Sequence, residues 1–129
     1  MDRQGQIEFI LDHYENPRRK GTLPHADASA EGVNPGCGYI VTMYLKVDPQ
    51  TGRAEVTFDG TGCTISQASA SFLSEFASGK TIGELLTIDH DDLMNALGRE
   101  LVQQRAGCVT LPLDALRTAI GKLNRNQAL

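Results

Sequence analysis

Alternating hydrophobic and polar positions predict a β-hairpin near the middle of the chain. The odd-numbered residues of the segment 39–47 are all apolar, and apolar and polar residues alternate again over residues 53–59. The five residues between these segments include proline and glycine, which are typical of a turn. Two such segments joined by a short turn predict an antiparallel pair with one face covered by helices and the other nearer to water.

Apolar residues at helical spacing predict helices before and after this hairpin. The first helix is expected over residues 6–14, with Ile7, Ile10, Leu11 and Tyr14 on its apolar face. Residues 22–36 are rich in proline, glycine, alanine and aspartate, so we expect a loop there. After the hairpin the spacing of apolar residues becomes helical and predicts four further helices. The first stops at Gly79, and the second begins with a capping box at Thr81. The third is marked by Leu93 to Leu101, and the last has Pro112 in its first turn.

This order of helix, strands and helices predicts an α+β fold, with helices packed on one face of a small antiparallel sheet of about three strands. The chain of 129 residues is long enough for one core, so we expect a single domain over residues 1–129. A net charge of −4 argues against nucleic-acid binding. No apolar run is long enough to span a membrane, and no apolar signal segment follows Met1, so we expect a cytoplasmic protein.

The three cysteines carry the candidate chemistry of the chain. Cys37 precedes the first hairpin strand and Cys63 follows the second, so an antiparallel hairpin brings both to the same end of the sheet. Cys63 and Cys108 also lie where helices are expected to begin, and a helix N-terminus favours the thiolate. An odd number of cysteines and the absence of export argue against a disulfide framework.

Three interpretations of these cysteines stay open on the residues alone. They are inert buried thiols, a site that handles metal or sulfur, or a nucleophile for hydrolysis. The chain has no Cys-x-x-Cys pair, which argues against an ordinary zinc finger or a thioredoxin-like site. Spacing does not show whether Cys108 approaches the other two cysteines.

The histidines and serines are expected to have structural roles. His13 is interpreted as a surface or capping group of the first helix, and His25 lies in the predicted loop. His90 stands in an acidic run, residues 89–92, that is typical of a helix N-cap. The four serines that follow Cys63 are interpreted as small residues for close helix packing: Ser66, Ser69, Ser71 and Ser74.

Four segments resemble the IscU/SufU-type iron–sulfur cluster assembly scaffolds, also called NifU N-terminal-like. The segments are residues 13–18 at the end of the first helix, Asn-Pro-Gly-Cys-Gly at 34–38, residues 58–71 around the second cysteine, and Arg-Ala-Gly-Cys-Val-Thr-Leu at 105–111. The resemblance covers nearly the whole chain, and its most specific part is the segment around Cys63. It implies a SufE/NifU-like fold in which the three cysteines converge at one exposed end.

The resemblance also implies ligands, a cofactor and partners. Cys37, Cys63 and Cys108 would hold iron or a [2Fe–2S] cluster, or alternatively zinc, together with a fourth ligand. Sulfur would arrive as a persulfide from a cysteine desulfurase, with Cys37 and Cys108 as candidate acceptors and Arg105 beside them. An iron donor and apo iron–sulfur recipient proteins would be the other partners.

Two departures from the family pattern leave the mechanism open. The family has an aspartate two residues after the first cysteine, whereas this chain has Tyr39, so the fourth ligand could be water, a residue from elsewhere, or a partner group. Glycine precedes the third cysteine, as Gly107, where the IscU type has histidine, and Arg105 is similar to the SufU type. The favoured interpretation is a non-enzymatic scaffold that assembles and transfers [2Fe–2S]. The alternatives are a zinc-dependent sulfurtransferase and a paralogue that binds the desulfurase without metal.

Overall fold

The computed structural model describes residues 2–127, apart from the side chains of residue 37 and residues 124–127. Three strands form one antiparallel sheet in the order β1 (Ala28–Asn34), β2 (Tyr39–Val47) and β3 (Ala54–Thr61). A short 3-10 turn, Pro35–Cys37, joins the first two strands. Asn34 pairs with Tyr39, and Ile40 pairs with Thr61, so the turn after β1 and the end of β3 lie at one end of the sheet.

Helices cover one face of this sheet. Their bounds are α1 Arg3–Glu15, α2 Thr64–Ala77, α3 Ile82–Leu85, α4 His90–Leu97, α5 Arg99–Val102 and α6 Ala106–Gln127, with a 3-10 turn at Gln103–Arg105. Most strand residues that face the helices are buried, among them Val41, Met43 and Leu45, whereas Ile40 on the other face is 45% exposed. Packing joins α6 to β1 and β2, and it joins α2 to β3, α1 and α6. The predicted α+β architecture is therefore confirmed, and burial alternates as predicted along most of the hairpin, except that Thr57 on the polar face of β3 is also buried.

The first strand was not predicted, because its segment was expected to be a loop. Its side chains are small, and only Ala28 and Ala30 are fully buried. Two alanines alternating with polar residues give a weak hydrophobic signal, and the strand is stabilised by its pairing with β2 along its whole length. Gly32 lies close to α6, where an added Cβ would be 3.0 Å from Leu111 Cδ1.

The predicted apolar face of α1 was partly wrong. Ile10 is buried, but Leu11 and Tyr14 are 42% and 45% exposed, and His13 is buried instead. The last helix also begins earlier than predicted, so Pro112 lies inside α6 rather than in its first turn. Pro112 has no N–H to donate to the carbonyl of residue 108, four positions earlier.

The predicted caps at Thr81 and at residues 89–92 are confirmed, but the single helix predicted over Leu93 to Leu101 was wrong, because Gly98, with a φ of +98°, separates α4 from α5. Thr81 forms a reciprocal capping box with Glu84, and Asp89 forms one with Asp92. The α2 helix ends at Ala77, two residues before Gly79, which has a φ of +92°. Among the described residues, no helix is long and apolar enough to cross a membrane.

Candidate functional site

The turn that carries Cys37 is held by the residues on either side of it. The side chain of Asn34 accepts a hydrogen bond from the Gly36 N–H at 3.0 Å, which caps the short 3-10 turn. Gly38 then adopts a left-handed conformation, with φ of +63°, and the chain enters β2. The turn therefore presents residue 37 at the end of the sheet, although its side chain lies outside the described part of the structure.

The loop that carries Cys63 lies against the start of β2. An added Cβ on Gly60 would be 2.9 Å from the Val41 Cα, and one on Gly62 would be 2.6 Å from the Tyr39 Cδ1. An added Cβ on Gly62 would lie nearer still to the Ser66 Oγ of α2, at 2.3 Å. The close approach to β2 therefore requires glycine at position 60, and β2 and α2 together require it at position 62. The amide of Gln67 also donates to the Gly60 carbonyl at 3.2 Å.

The start of α6 reaches the same end of the sheet. Gly107 lies beside the Asn34 side chain, because an added Cβ there would be 3.0 Å from Asn34 Nδ2. One residue past Cys108, the Val109 carbonyl accepts a hydrogen bond from the Ser69 hydroxyl of α2 at 2.5 Å. The segment around Cys108 therefore contacts both the turn after β1 and the helix that follows Cys63.

Cys63 has a free, partly exposed thiol at the N-cap of α2. Partial burial alone would raise the pKa of this thiol, but hydrogen bonds from Ser66 and the Ile65 N–H, together with the positive charge of Arg105, hold it below its ordinary value. Cys63 is thus the described cysteine that most readily forms a thiolate, the form that binds metal or attacks sulfur.

Cys108 is buried, with 3% of its surface exposed, and it is disulfide-bonded in this structure. The sequence argument against a disulfide framework did not anticipate this bond, because it considered the number of cysteines and not their approach in space. Cys108 also lines a cavity of about 350 Å³, whose other lining residues are Asn34, Gly36, Gln104, Arg105 and Gly107. The described side chains include no group of three or more His, Cys, Asp or Glu residues that could hold a metal.

Tyr39 occupies the position of the family's aspartate, and its side chain points into the protein. It is 1% exposed, and its hydroxyl has no hydrogen-bond partner among the described residues. Burial and the neighbouring Cys63 raise the pKa of the phenol well above its ordinary value. Tyr39 does not line the cavity beside Cys108.

His13 is in the core, so its interpretation as a surface or capping residue was wrong. Its Nδ1 lies 2.7 Å from the Ser71 hydroxyl, which also accepts a hydrogen bond from the Arg18 N–H at 2.8 Å. The ring of His13 lies beside Phe9 and Phe72. This cluster joins α1, the segment after it and α2, and it is not part of the cysteine region.

The remaining polar assignments agree with the structure. All four serines of α2 are completely buried, which supports their interpretation as packing residues. His90 is the first residue of α4 and lies 2.7 Å from the Asp114 carboxylate. The sequence did not predict that Asn34 caps the turn before Cys37 or that Ser69 donates to the Val109 carbonyl. The order Asn-Pro-Gly was a signal for the role of Asn34, because asparagine commonly caps a turn of this kind.

The fold and this end of the sheet define a class of protein: a three-stranded α+β domain whose cysteine-bearing segments meet beside one edge. The family model for the NifU-like N terminal domain matches residues 6–128. The chain is 41% identical over 112 residues to the iron–sulfur cluster assembly scaffold protein IscU 1 of Archaeoglobus fulgidus, which covers 86% of this chain and 71% of that protein. This chain belongs to the NifU-like N-terminal domain family.

Two solved structures show the same fold. The N-terminal NifU-like protein of Brucella abortus has a TM-score of 0.77 at 25% identity, over 92% of this chain and 93% of that one. The putative SUF-system scaffold SufU of Fervidobacterium islandicum has a TM-score of 0.71 at 31% identity, over 88% of this chain and 94% of that one. Both likenesses agree with the SufE/NifU-like fold expected from the sequence.

Proposed function

We propose that this chain is an iron–sulfur cluster assembly scaffold that builds a [2Fe–2S] cluster on Cys37, Cys63 and Cys108 and passes it to apo-proteins. The observation that carries the proposal is the meeting of three segments: Gly62 lies against Tyr39, and Gly107 lies against Asn34. The family and its relatives, which are named as cluster assembly scaffolds, support the same role. The cluster is cargo, because a scaffold must release it.

The donor chemistry fits this cargo. Thiolates are the ligands that iron–sulfur clusters prefer, and the pKa of Cys63 is already lowered at the N-terminus of α2. Cys108 is disulfide-bonded here, so that bond has to be reduced before Cys108 can act as a ligand. The cavity beside Cys108 opens this part of the site to small molecules.

Sulfur delivery would follow from thiolate chemistry. A cysteine thiolate of this chain attacks the outer sulfur of a persulfide on a cysteine desulfurase, the S–S bond of that persulfide breaks, and the desulfurase keeps its thiolate. Cys37 and Cys108 remain the predicted acceptors. Arg105 is the residue we propose to attract the negatively charged sulfur, and the effect of its charge on the pKa of Cys63 supports this role. The other proposed partners are an iron donor and apo iron–sulfur recipient proteins. The proposed location is the cytoplasm.

Anaerobic reconstitution of the phosphine-reduced chain with ferrous iron and sulfide tests the ligand set. We expect visible charge-transfer absorbance, with iron and acid-labile sulfide bound in equal amounts. Each of Cys37→Ser, Cys63→Ser and Cys108→Ser should abolish most of this signal. Ser74→Ala, which removes a buried hydroxyl without a described partner, is the matched control and should retain it.

The same samples separate the alternatives. Unchanged spectra in the three serine variants would contradict the ligand assignment. One tightly bound zinc per chain, with activation of the desulfurase and no cluster, would favour the sulfurtransferase instead. Zinc prefers four firm ligands, and the described residues offer no carboxylate in the place of the family's aspartate. A chain without metal in every preparation, whose affinity for the desulfurase survives all three substitutions, would be the metal-free paralogue.

A further inference from the structure

Gln67 is a long polar side chain in a buried stretch of α2. The other residues from Ser66 to Ser71 are serines and alanines, whereas Gln67 carries an amide and is only 8% exposed. Burying an amide costs free energy unless it forms hydrogen bonds. An apolar side chain of similar volume would pack as well, so the contacts of the amide indicate what Gln67 does.

Gln67 contacts both ends of the loop that carries Cys63, residues 60–63. At the start of this loop, its side-chain amide donates to the Gly60 carbonyl at 3.2 Å. At the end of the loop, its backbone N–H donates to the Cys63 carbonyl at 3.0 Å, and the Ser66 hydroxyl donates to the same carbonyl at 2.9 Å. The backbone contact belongs to the regular pattern of a helix, but the side-chain contact does not.

The loop joins two elements that packing does not hold together on every side. Gly60 pairs with β2 and so belongs to the sheet, whereas Cys63 is the N-cap of α2. A cavity of about 210 Å³ lies against the loop and is lined by residues 60–62 and by Gln67 itself. Among the hydrogen bonds of the described side chains, that of Gln67 is the one that joins residues 60–62 to α2.

We propose that Gln67 is a positioning residue that fixes the direction in which Cys63 presents its sulfur. The amide holds the end of β3 to α2, and Cys63 lies where these two elements meet. The thiol is partly exposed, so the backbone around it decides where the sulfur points. The inference rests on the proposed function, because a fixed direction is useful when Cys63 has to bind a cluster together with other ligands.

Gln67→Met tests the amide, because methionine has a similar volume and helix propensity but no N–H donor. The matched control is Gln50→Met, the same change at an exposed position between β2 and β3. The first readout is ¹⁵N relaxation measured by NMR. We expect backbone order parameters at residues 62 and 63 to fall from about 0.85 towards about 0.6 in Gln67→Met, while those of α4 stay unchanged. Gln50→Met should change neither set.

Alkylation of Cys63 by iodoacetamide provides a second readout that requires no metal. The unreduced chain is used, because Cys63 is free there, and mass spectrometry of peptides identifies the modified residue. At about pH 9.5, above the ordinary thiol pKa of about 8.5, most of the thiol is ionised, so the rate reports access to the sulfur. We expect Gln67→Met to react about fivefold faster, the effect of losing one ordinary hydrogen bond that opposes loop opening. Gln50→Met should react at the unchanged rate.

Cluster assembly connects this role with the proposed function. After reduction and anaerobic reconstitution with ferrous iron and sulfide, we expect a lower cluster yield in Gln67→Met than in the unchanged chain and in Gln50→Met. Far-UV circular dichroism confirms that each variant is folded. If Gln67→Met does not fold, Gln67→Glu takes its place, because an ionised carboxylate has a similar length and cannot donate to the Gly60 carbonyl.

Unchanged order parameters at residues 62 and 63, or an unchanged rate of Cys63 alkylation, would overturn the inference. So would an equal loss of order at these residues and in α4, because Gln67 would then support the fold in general and not the direction of Cys63. Chains that show both local changes but form no cluster, the unchanged chain included, would overturn the proposed function alone.

Discussion

At the scale of single residues, glycine is what allows the loop before Cys63 to lie against β2. Gly62 lies so close to the Ser66 hydroxyl and the Tyr39 ring that no side chain fits, and Gly60 lies equally close to the β2 backbone. The family's aspartate is smaller than tyrosine, so the large ring of Tyr39 leaves less space for a side chain at position 62. A substitution there should therefore disturb both the fold and the position of Cys63.

We expect Gly62→Ala to lower the free energy of unfolding by about 1–3 kcal/mol, the usual cost of overpacking a core. The matched control is Gly121→Ala in α6, where an added Cβ meets nothing within 4 Å. Because alanine is the better helix former, that change should stabilise the chain by about 0.5–1 kcal/mol. Urea unfolding followed by circular dichroism measures both. Equal effects of the two substitutions would show that the contacts of Gly62 with Ser66 and Tyr39 do not limit the space at this position.

At the scale of elements, α2 connects two of the cysteine segments through buried serines. Ser69 donates to the Val109 carbonyl of α6, whereas the Ser74 hydroxyl is equally buried and has no described partner. A buried hydroxyl stabilises a protein when it is paired and costs free energy when it is not. The two serines therefore form a matched pair on one helix.

Ser69→Ala should cost about 1 kcal/mol of stability and lower the yield of reconstituted cluster, because the start of α6 loses its link to the helix that follows Cys63. Ser74→Ala should be neutral or slightly stabilising and should leave that yield unchanged. Thermal unfolding and anaerobic reconstitution of both variants provide the comparison. If Ser74→Ala destabilises the chain as much as Ser69→Ala does, packing rather than the hydrogen bond to Val109 explains the effect.

The sequence predicted some elements well and others poorly, for physical reasons that differ. The hairpin followed from strict alternation of large apolar side chains, which marks a sheet covered on one face. The first strand was not predicted because its buried residues, Ala28 and Ala30, are small and give only a weak hydrophobic pattern. The buried face of α1 was predicted wrongly because His13 lies in the core, where it packs against Phe9 and lies beside the Ser71 hydroxyl. Residue type alone does not predict that a histidine is buried.

At the scale of the whole molecule, the meeting of the cysteine segments was predictable for two of them only. The hairpin alone places the Cys63 loop beside the turn that carries Cys37. The position of Cys108 depends on α6, which packs on β1, the strand that the sequence did not predict. Gly32 in β1 and Gly107 in α6 both permit that approach, and neither forms a local pattern that identifies it. The third cysteine was therefore placed by resemblance rather than by derivation.

The stability of the whole chain should depend on pH through His13. Burial, and after it the charge of Arg18, lowers the pKa of this imidazole, while Glu75 and Asp12 oppose the shift less strongly. The lowered pKa favours the neutral imidazole in the folded chain, where Nδ1 lies 2.7 Å from the Ser71 hydroxyl. As the pH falls below about 6.5, the unfolded chain takes up a proton that the folded chain does not, so stability is lost.

We expect the free energy of unfolding to decrease by up to about 1.4 kcal/mol per pH unit over part of the range below pH 6.5, and to be insensitive to His13 above it.

His13→Gln can still hydrogen-bond to Ser71 but does not titrate, so it should be less stable at neutral pH and should lose this slope. His90→Gln, at an exposed position on α4, is the control and should keep it. Urea unfolding at half-unit steps between about pH 5.5 and 7.5 stays above the ordinary carboxylate range, and the difference between the unchanged chain and His13→Gln gives the contribution of His13. An unchanged slope in His13→Gln would assign the pH dependence to other groups, and the cluster of His13, Ser71 and Arg18 would then be a packing contact without a titrating member.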